Sequence, residues 1–129
     1  MSKTVISTDK APAAIGPYSQ GIRTGNLIFT AGQTGIDPAT QQVVTGGVTE
    51  QATQTLENLK AIVEAAGSSL GRVVKANVYL KNLDDFAAMN EVYGKYLGTQ
   101  SGTLPARTTV EVSRLPRNVL IEIEFIAEV

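Results

Sequence analysis

The stretch from Val119 to Val129 alternates along its whole length, and this constrains the fold more than any other feature of the chain. Ile121, Ile123, Phe125, Ala127 and Val129 fall on one side of an extended strand, and Leu120, Glu122, Glu124, Ile126 and Glu128 on the other, because successive strand side chains point to opposite faces. The first set is an ordinary core face. The second mixes aliphatics with carboxylates and is expected to be neither fully buried nor freely solvated. A sheet holding such a strand needs cover on both sides.

Two helical stripes can supply one cover. Val48, Ala52, Leu56, Leu59, Val63 and Ala66 recur at spacings of three and four, the pattern of one helix face, and Gly67 is placed to end that helix in the left-handed conformation. Phe86, Met89, Tyr93, Tyr96 and Leu97 form a second stripe closed by Gly98, with Asn82 and Asp85 at N-cap and N3 spacing before it. Other strands are predicted at Thr4 to Ser7, Tyr18 to Thr24, Leu27 to Ala31, Val74 to Lys81 and Thr108 to Leu115. Gly25-Asn26 joins two of them as a hairpin. A polar loop spans Thr99 to Leu104, and Pro116-Arg117-Asn118 turns the chain into the last strand.

The chain has 129 residues, with no composition shift, repeat or low-complexity segment to divide it, so residues 1–129 read as a single domain. Two helices cover only one face of a sheet of five to six strands. The expected fold is α+β, a mixed sheet with both helices packed on one face, and a second copy of the chain is the simplest cover for the other.

Cys and His are both absent. That removes disulfides, thiol nucleophiles, His-dependent triads and ordinary zinc sites, so acid-base chemistry falls to Glu, Asp, Lys, Tyr, the backbone or water. Lys plus Arg is 11 against 12 for Asp plus Glu, a net charge of −1, without the basic surplus of a nucleic-acid binder. There is no phosphate-cradling Gly-rich loop and no calcium-loop pattern. No metal and no cofactor are expected. The opening residues lack an apolar secretory stretch and no run suggests a membrane span, so the expected setting is cytoplasmic, with no membrane and no nucleic-acid partner.

Four places can carry chemistry. Arg107, entering an alternating strand after Pro105-Ala106, is either an anion receptor, whose planar fork suits a carboxylate, or one half of an ion pair with Glu111, Glu122 or Glu124. On the residues alone the ion pair is favoured. Glu122, between Ile121 and Ile123, is the best general acid-base candidate the chain offers, although nothing in the residues prefers it to Glu124. Gly16-Pro17 delivers Tyr18 at a strand start, where the phenol either donates to a ligand or packs with its hydroxyl wet. Gly32 lets a ligand approach the backbone or marks a bulge, and Asn90 flanks the apolar stripe of the second helix.

These residues resemble the RidA (YjgF) family of reactive-intermediate deaminases. The similarity runs from Ala13-Ala14-Ile15-Gly16-Pro17-Tyr18-Ser19-Gln20-Gly21 to the end. It includes Phe29-Thr30-Ala31-Gly32-Gln33, Asn58 to Gly67 and Val74 to Leu80. Its most specific part runs from Pro105-Ala106-Arg107 through Leu115-Pro116 to Ile121-Glu122-Ile123-Glu124. The resemblance implies a chorismate-mutase-like α+β fold assembled as a homotrimer with clefts between subunits. It also implies cofactor-independent hydrolysis of 2-imino and 2-enamino acids, such as 2-aminoacrylate and 2-iminobutanoate, to 2-keto acids and ammonia. Carried over by motif position, Arg107 would hold the substrate carboxylate and Glu122, rather than Glu124, would position water and manage the proton. The Thr109 carbonyl would orient water or the imine nitrogen, Tyr18 would complete the wall, and Gly32 and Asn90 would lie nearby. Many relatives carry Cys where this chain has Thr109, and Ser often replaces Thr30. If a thiol serves an oxidant-dependent behaviour, this chain should lack it. The substrate is already activated, so one carboxylate receptor and one delivered water suffice, which fits a chain without Cys or His. A carboxylate-binding regulatory trimer, a ribonuclease or translation inhibitor, and, by fold analogy alone, a chorismate mutase are the alternatives.

Overall fold

The computed structural model describes residues 2–98 and 103–129. The elements run β1 (Lys3–Ile6), β2 (Gly21–Thr24), β3 (Leu27–Thr30), β4 (Ile36–Asp37), β5 (Gln42–Val43), α1 (Val48–Ala65), β6 (Val73–Leu80), α2 (Phe86–Leu97), β7 (Ala106–Glu111) and β8 (Ile121–Glu128). Six strands form one sheet in the order β1-β2-β3-β8-β6-β7, and β4 and β5 form a separate two-stranded piece. All neighbours in the large sheet are antiparallel except β6 and β7, which α2 links as a crossover. This is the expected α+β mixed sheet.

Both helices lie on one face. The core unites Ala52, Leu56, Leu59 and Val63 of α1 and Met89, Tyr93 and Leu97 of α2 with Ala76, Val78 and Leu80 of β6 and Ile121, Ile123, Phe125 and Ala127 of β8. On the opposite face Leu120, Glu122, Glu124 and Ile126 are half-buried, the intermediate state that their mixed chemistry implies, while Glu128, at the strand end, is exposed. Registers align Val5, Ile22, Phe29 and Ile126 side by side across β1, β2, β3 and β8. That open face therefore carries an apolar row, with Val5 62% and Phe29 40% exposed.

Several local expectations hold and several shift. The hairpin turns at Gly25-Asn26, with Thr24 opposite Leu27, and Gly67 ends α1 at φ 84°. Gly98 instead keeps a right-handed φ of −74°. Asn82 caps a short 3-10 turn, accepting from the Asp84 N–H at 2.9 Å, so α2 begins only at Phe86. The penultimate strand starts at Ala106 and stops at Glu111, earlier at both ends than Thr108 to Leu115. The final strand starts at Ile121, because Pro116–Asn118 forms a 3-10 turn with Arg117 and Asn118 at φ 58° and 54°. The Thr99–Gly102 part of the polar loop lies outside the described residues. The β4–β5 piece was missed, since two residues per strand leave no period to read.

Buried amides fix the loops that matter for the site. Gln20 accepts from the Thr8 N–H at 2.7 Å and donates to the carbonyls of Thr8, Ala11 and Pro12 at 3.0, 3.3 and 2.8 Å. Asn58, fully buried on α1, donates to the carbonyls of Thr34 and Ile36 at 3.1 and 2.9 Å. The chain before β2 and the chain after β3 are thus tied down without regular structure. Gln20→Ala should lower stability by about 2–3 kcal/mol in urea unfolding, since it leaves several backbone groups unpaired.

Candidate functional site

Strand pairing decides which candidate side chains can meet. Arg107 is opposite Ala76 and Thr109 is opposite Val78 across β6 and β7. Glu122 is opposite Tyr79 across β6 and β8. Paired residues share a face, and Ala76 and Tyr79, an odd number of residues apart on one strand, point to opposite faces. Arg107 and Thr109 therefore stand on the helix side and Glu122 on the open side. Within one chain the sheet itself separates the two residues expected to carry the chemistry.

The Arg107 half is built by α2. The guanidinium carbon lies 4.8 Å from the Tyr93 ring centroid and 5.5 Å from that of Phe86, within cation–π range, and Nη1 lies 4.0 Å from the buried Met89 sulfur. Among the described residues none of the acids proposed for an ion pair holds it. Glu111 accepts from the Leu83 N–H at 3.0 Å, Glu124 is engaged by Tyr79 and Asn77, and Glu122 is across the sheet. The side chain's fork is left available while its flank is packed, a geometry suited to a planar anion. Asn90 Oδ1, Tyr93 Oη and Thr109 Oγ1 are buried without a hydrogen-bond partner among the described residues, and the first two sit one helical turn apart on the helix that cradles Arg107. Burial pushes the Tyr93 phenol upward, opposed by the positive charge of Arg107.

The strand edge adds backbone groups. β7 ends the sheet, and the Val112 N–H donates to the Leu80 carbonyl at 2.9 Å. Alternate residues turn their backbone groups to alternate sides, so Val110 and Thr108 face β6 while Arg107, Thr109 and Glu111 face outward. The Thr109 carbonyl is thus presented on the open edge.

The Glu122 half is built by the chain after β3. Gly32 lies directly against the acid: a Cβ built there would be 2.1 Å from Glu122 Oε2. Gly32 follows the end of β3, where the register with β8 slips by one residue between the Phe29–Ile126 and Gln33–Ile123 pairs, as at a bulge. It makes room for the carboxylate, and the paired Gln33 and Ile123 backbones, with N–H to carbonyl distances of 2.8 and 3.0 Å, lock that approach. Desolvation, then the neighbouring Glu124, raises the Glu122 carboxyl above its ordinary value. Tyr18 corrects the strand-start expectation. Its N–H donates to the Gly16 carbonyl at 2.8 Å in a bend three residues before β2, and its ring is half exposed. It nevertheless lines, with Gly32, Ile15, Thr34 and Arg117, an open cleft of about 520 Å³.

The cradle of Phe86, Met89 and Tyr93 was missed, because on α2 those residues read as core stripe. The contacts of Glu124 were missed too, although Asn77 and Tyr79 alternate in step with the two acids. Among the described residues no group of three or more Asp and Glu side chains could hold a metal. No described helix is long and apolar enough to cross a membrane.

Comparison with known proteins places the chain in a family. The family model described as Endoribonuclease L-PSP matches residues 8–129. The 2-iminobutanoate/2-iminopropanoate deaminase of Escherichia coli K12 is 53% identical over 127 residues, covering 98% of each chain. A RutC family protein of Pyrococcus abyssi is 59% identical over 127 residues, again covering 98% of each. The crystal structure of the E. coli YjgF gene product superposes with a TM-score of 0.92 at 50% identity, covering 97% of this chain and 98% of that one. The chain belongs to the endoribonuclease L-PSP family, that of YjgF and RidA.

Proposed function

We propose that this protein hydrolyses reactive 2-imino and 2-enamino acids to 2-keto acids and ammonia, without a cofactor, at sites shared between subunits of a homotrimer. The observation that carries the reading is the Arg107 guanidinium, packed against two rings and holding none of the candidate acids. A deaminase name on a relative 53% identical supports it. The separation of Arg107 and Glu122 by the sheet requires a second chain for both to reach one substrate, and the apolar row of Val5, Ile22, Phe29 and Ile126 suits burial against that chain.

In this reading Arg107 receives the substrate carboxylate, and Asn90, Tyr18 and Gly32 border the reacting carbon. Protonated Glu122 of the neighbouring subunit gives its proton to the imine nitrogen. The resulting carboxylate then takes a proton from water as the water oxygen bonds to C2. That proton passes on to the nitrogen of the carbinolamine. The C–N bond breaks, ammonia leaves, C2 becomes a carbonyl, and the hydroxyl proton returns to Glu122. One water is consumed, and one keto acid and one ammonia form. The outward Thr109 carbonyl accepts from the water or the imine N–H. A carboxyl raised by burial suits both directions of this transfer near neutral pH.

The test is keto-acid release from 2-aminoacrylate or 2-iminobutanoate generated in situ by a pyridoxal-phosphate-dependent dehydratase. Added protein should speed keto-acid appearance above the spontaneous rate in proportion to its concentration. No acceleration over a wide concentration range would leave the carboxylate-binding regulatory reading in its place. The ribonuclease reading rests on the family model's description; the absence of His and a net charge of −1 weigh against it.

A further inference from the structure

Beside Glu122 stands a second acid that the mechanism does not use. Glu124 occupies the same face of β8 two residues on, and Asn77 lies opposite it in register, while Tyr79 lies opposite Glu122. The Tyr79 hydroxyl donates to Glu124 Oε1 at 2.7 Å and the Asn77 amide donates to the same oxygen at 3.2 Å. Two donors from β6 thus converge on one oxygen of Glu124. Glu122 receives neither, and its Oε2 lies against the backbone of Gly32. Donors of this kind favour the ionised form of the acid they contact.

We propose that Glu124, held as a carboxylate by Tyr79 and Asn77, is a positioning residue that keeps the shared proton of the acid pair on Glu122. The inference deepens the deaminase reading and rests on it for its use. A second negative charge two residues along the same strand face disfavours ionisation of Glu122, so holding Glu124 as the anion favours the proton on Glu122. Glu122 then starts the reaction as the acid that the imine nitrogen needs. Tyr79, pushed up to about 12 chiefly by its bond to Glu124, stays a donor throughout the working range.

The other groups around Glu122 leave this arrangement in charge. From β8 come Glu124 and, at the far end of the strand, the exposed Glu128. From β6 come Tyr79, then Lys75, whose ammonium donates to Thr108 Oγ1 at 2.9 Å opposite Ile126, and, by alternation, Lys81 beyond the strand end. β7 presents Thr108 and Val110 there, and the chain after β3 presents Gly32. In the shared site the neighbouring subunit's Arg107 completes the set, and it is the same in all three proteins compared.

The experiment is a ¹³C NMR titration of side-chain carboxyls in protein labelled at Glu Cδ, without substrate, on wild type, Glu124→Gln and Tyr79→Phe. The same proteins are carried through the pH profile of keto-acid formation. Glu124→Gln keeps size and an acceptor for Tyr79 but removes the charge. It should lower the Glu122 midpoint, leaving the larger upward push of burial in place, and move the alkaline limb of kcat/KM down with it. Tyr79→Phe should shift both in the same direction by less, because it removes one of the two donors that hold Glu124 in place. A Glu122 midpoint unchanged in Glu124→Gln overturns the proposal, because a merely structural Glu124 would alter stability and not that midpoint. A midpoint that moves in protein showing no deaminase activity supports the proton placement and removes the reaction reading instead.

Discussion

Arg107→Ala should lower kcat/KM for imine hydrolysis by roughly 10²-fold or more, since truncating one partner of a hydrogen-bonded charge pair costs about 2–5 kcal/mol. The loss should appear largely in KM if the guanidinium grips the substrate carboxylate equally before and during water attack, and in kcat if the grip also orients C2. Arg107→Lys should recover only part of it, because a lysine ammonium keeps the charge without the two-pronged fork. Phe86 and Tyr93 flank the guanidinium on α2, and removing the side chain leaves the core cluster beneath intact. Circular dichroism of Arg107→Ala should therefore match wild type. Full turnover in that variant would remove the assigned role.

An equally large effect is expected from a single methyl group. Gly32→Ala places a Cβ where the Glu122 carboxylate now lies, with 2.1 Å to Oε2 and 2.9 Å to Cδ. Either the acid swings away or the chain after β3 retreats, and the second is resisted by the Gln33–Ile123 backbone pair and by the Asn58 bonds to Thr34 and Ile36. The acid should yield. Gly32→Ala should then resemble Glu122→Gln, each losing roughly 10²–10⁴-fold in kcat, the usual worth of a positioned acid-base group. Steady-state keto-acid assays on both variants check this. A Gly32→Ala protein with wild-type kcat would show that Glu122 need not occupy its present place.

Much of the architecture was legible in the residues because it depends on local period. The stripes at 48–66 and 86–97 and the alternation at 74–81 and 119–129 each report their own element. The mixed face of Leu120, Glu122, Glu124 and Ile126 announced half-burial, and the structure shows it. What depends on pairing between distant strands was not legible. That Arg107 sits opposite Ala76 is fixed by a parallel register closed across α2, and that Glu122 sits opposite Tyr79 by the antiparallel register of β6 and β8. A slip of one residue would have put both on one face. The cradle of Arg107 follows from that same register, which is why Phe86, Met89 and Tyr93 looked like core alone. Tyr18 was displaced from the strand because Gln20 spends its side chain on the 8–12 backbone, holding the preceding segment as a bend.

The proposed division of the site between chains is open to direct measurement. Arg107→Ala and Glu122→Gln proteins, each inactive alone, can be mixed in equal amounts, unfolded and refolded together. If every site takes Arg107 from one subunit and Glu122 from the next, random trimers restore an intact pair at roughly a quarter of the sites, and a comparable share of wild-type keto-acid formation should return. A mixture that assembles normally yet stays as inactive as its two components would contradict the shared site.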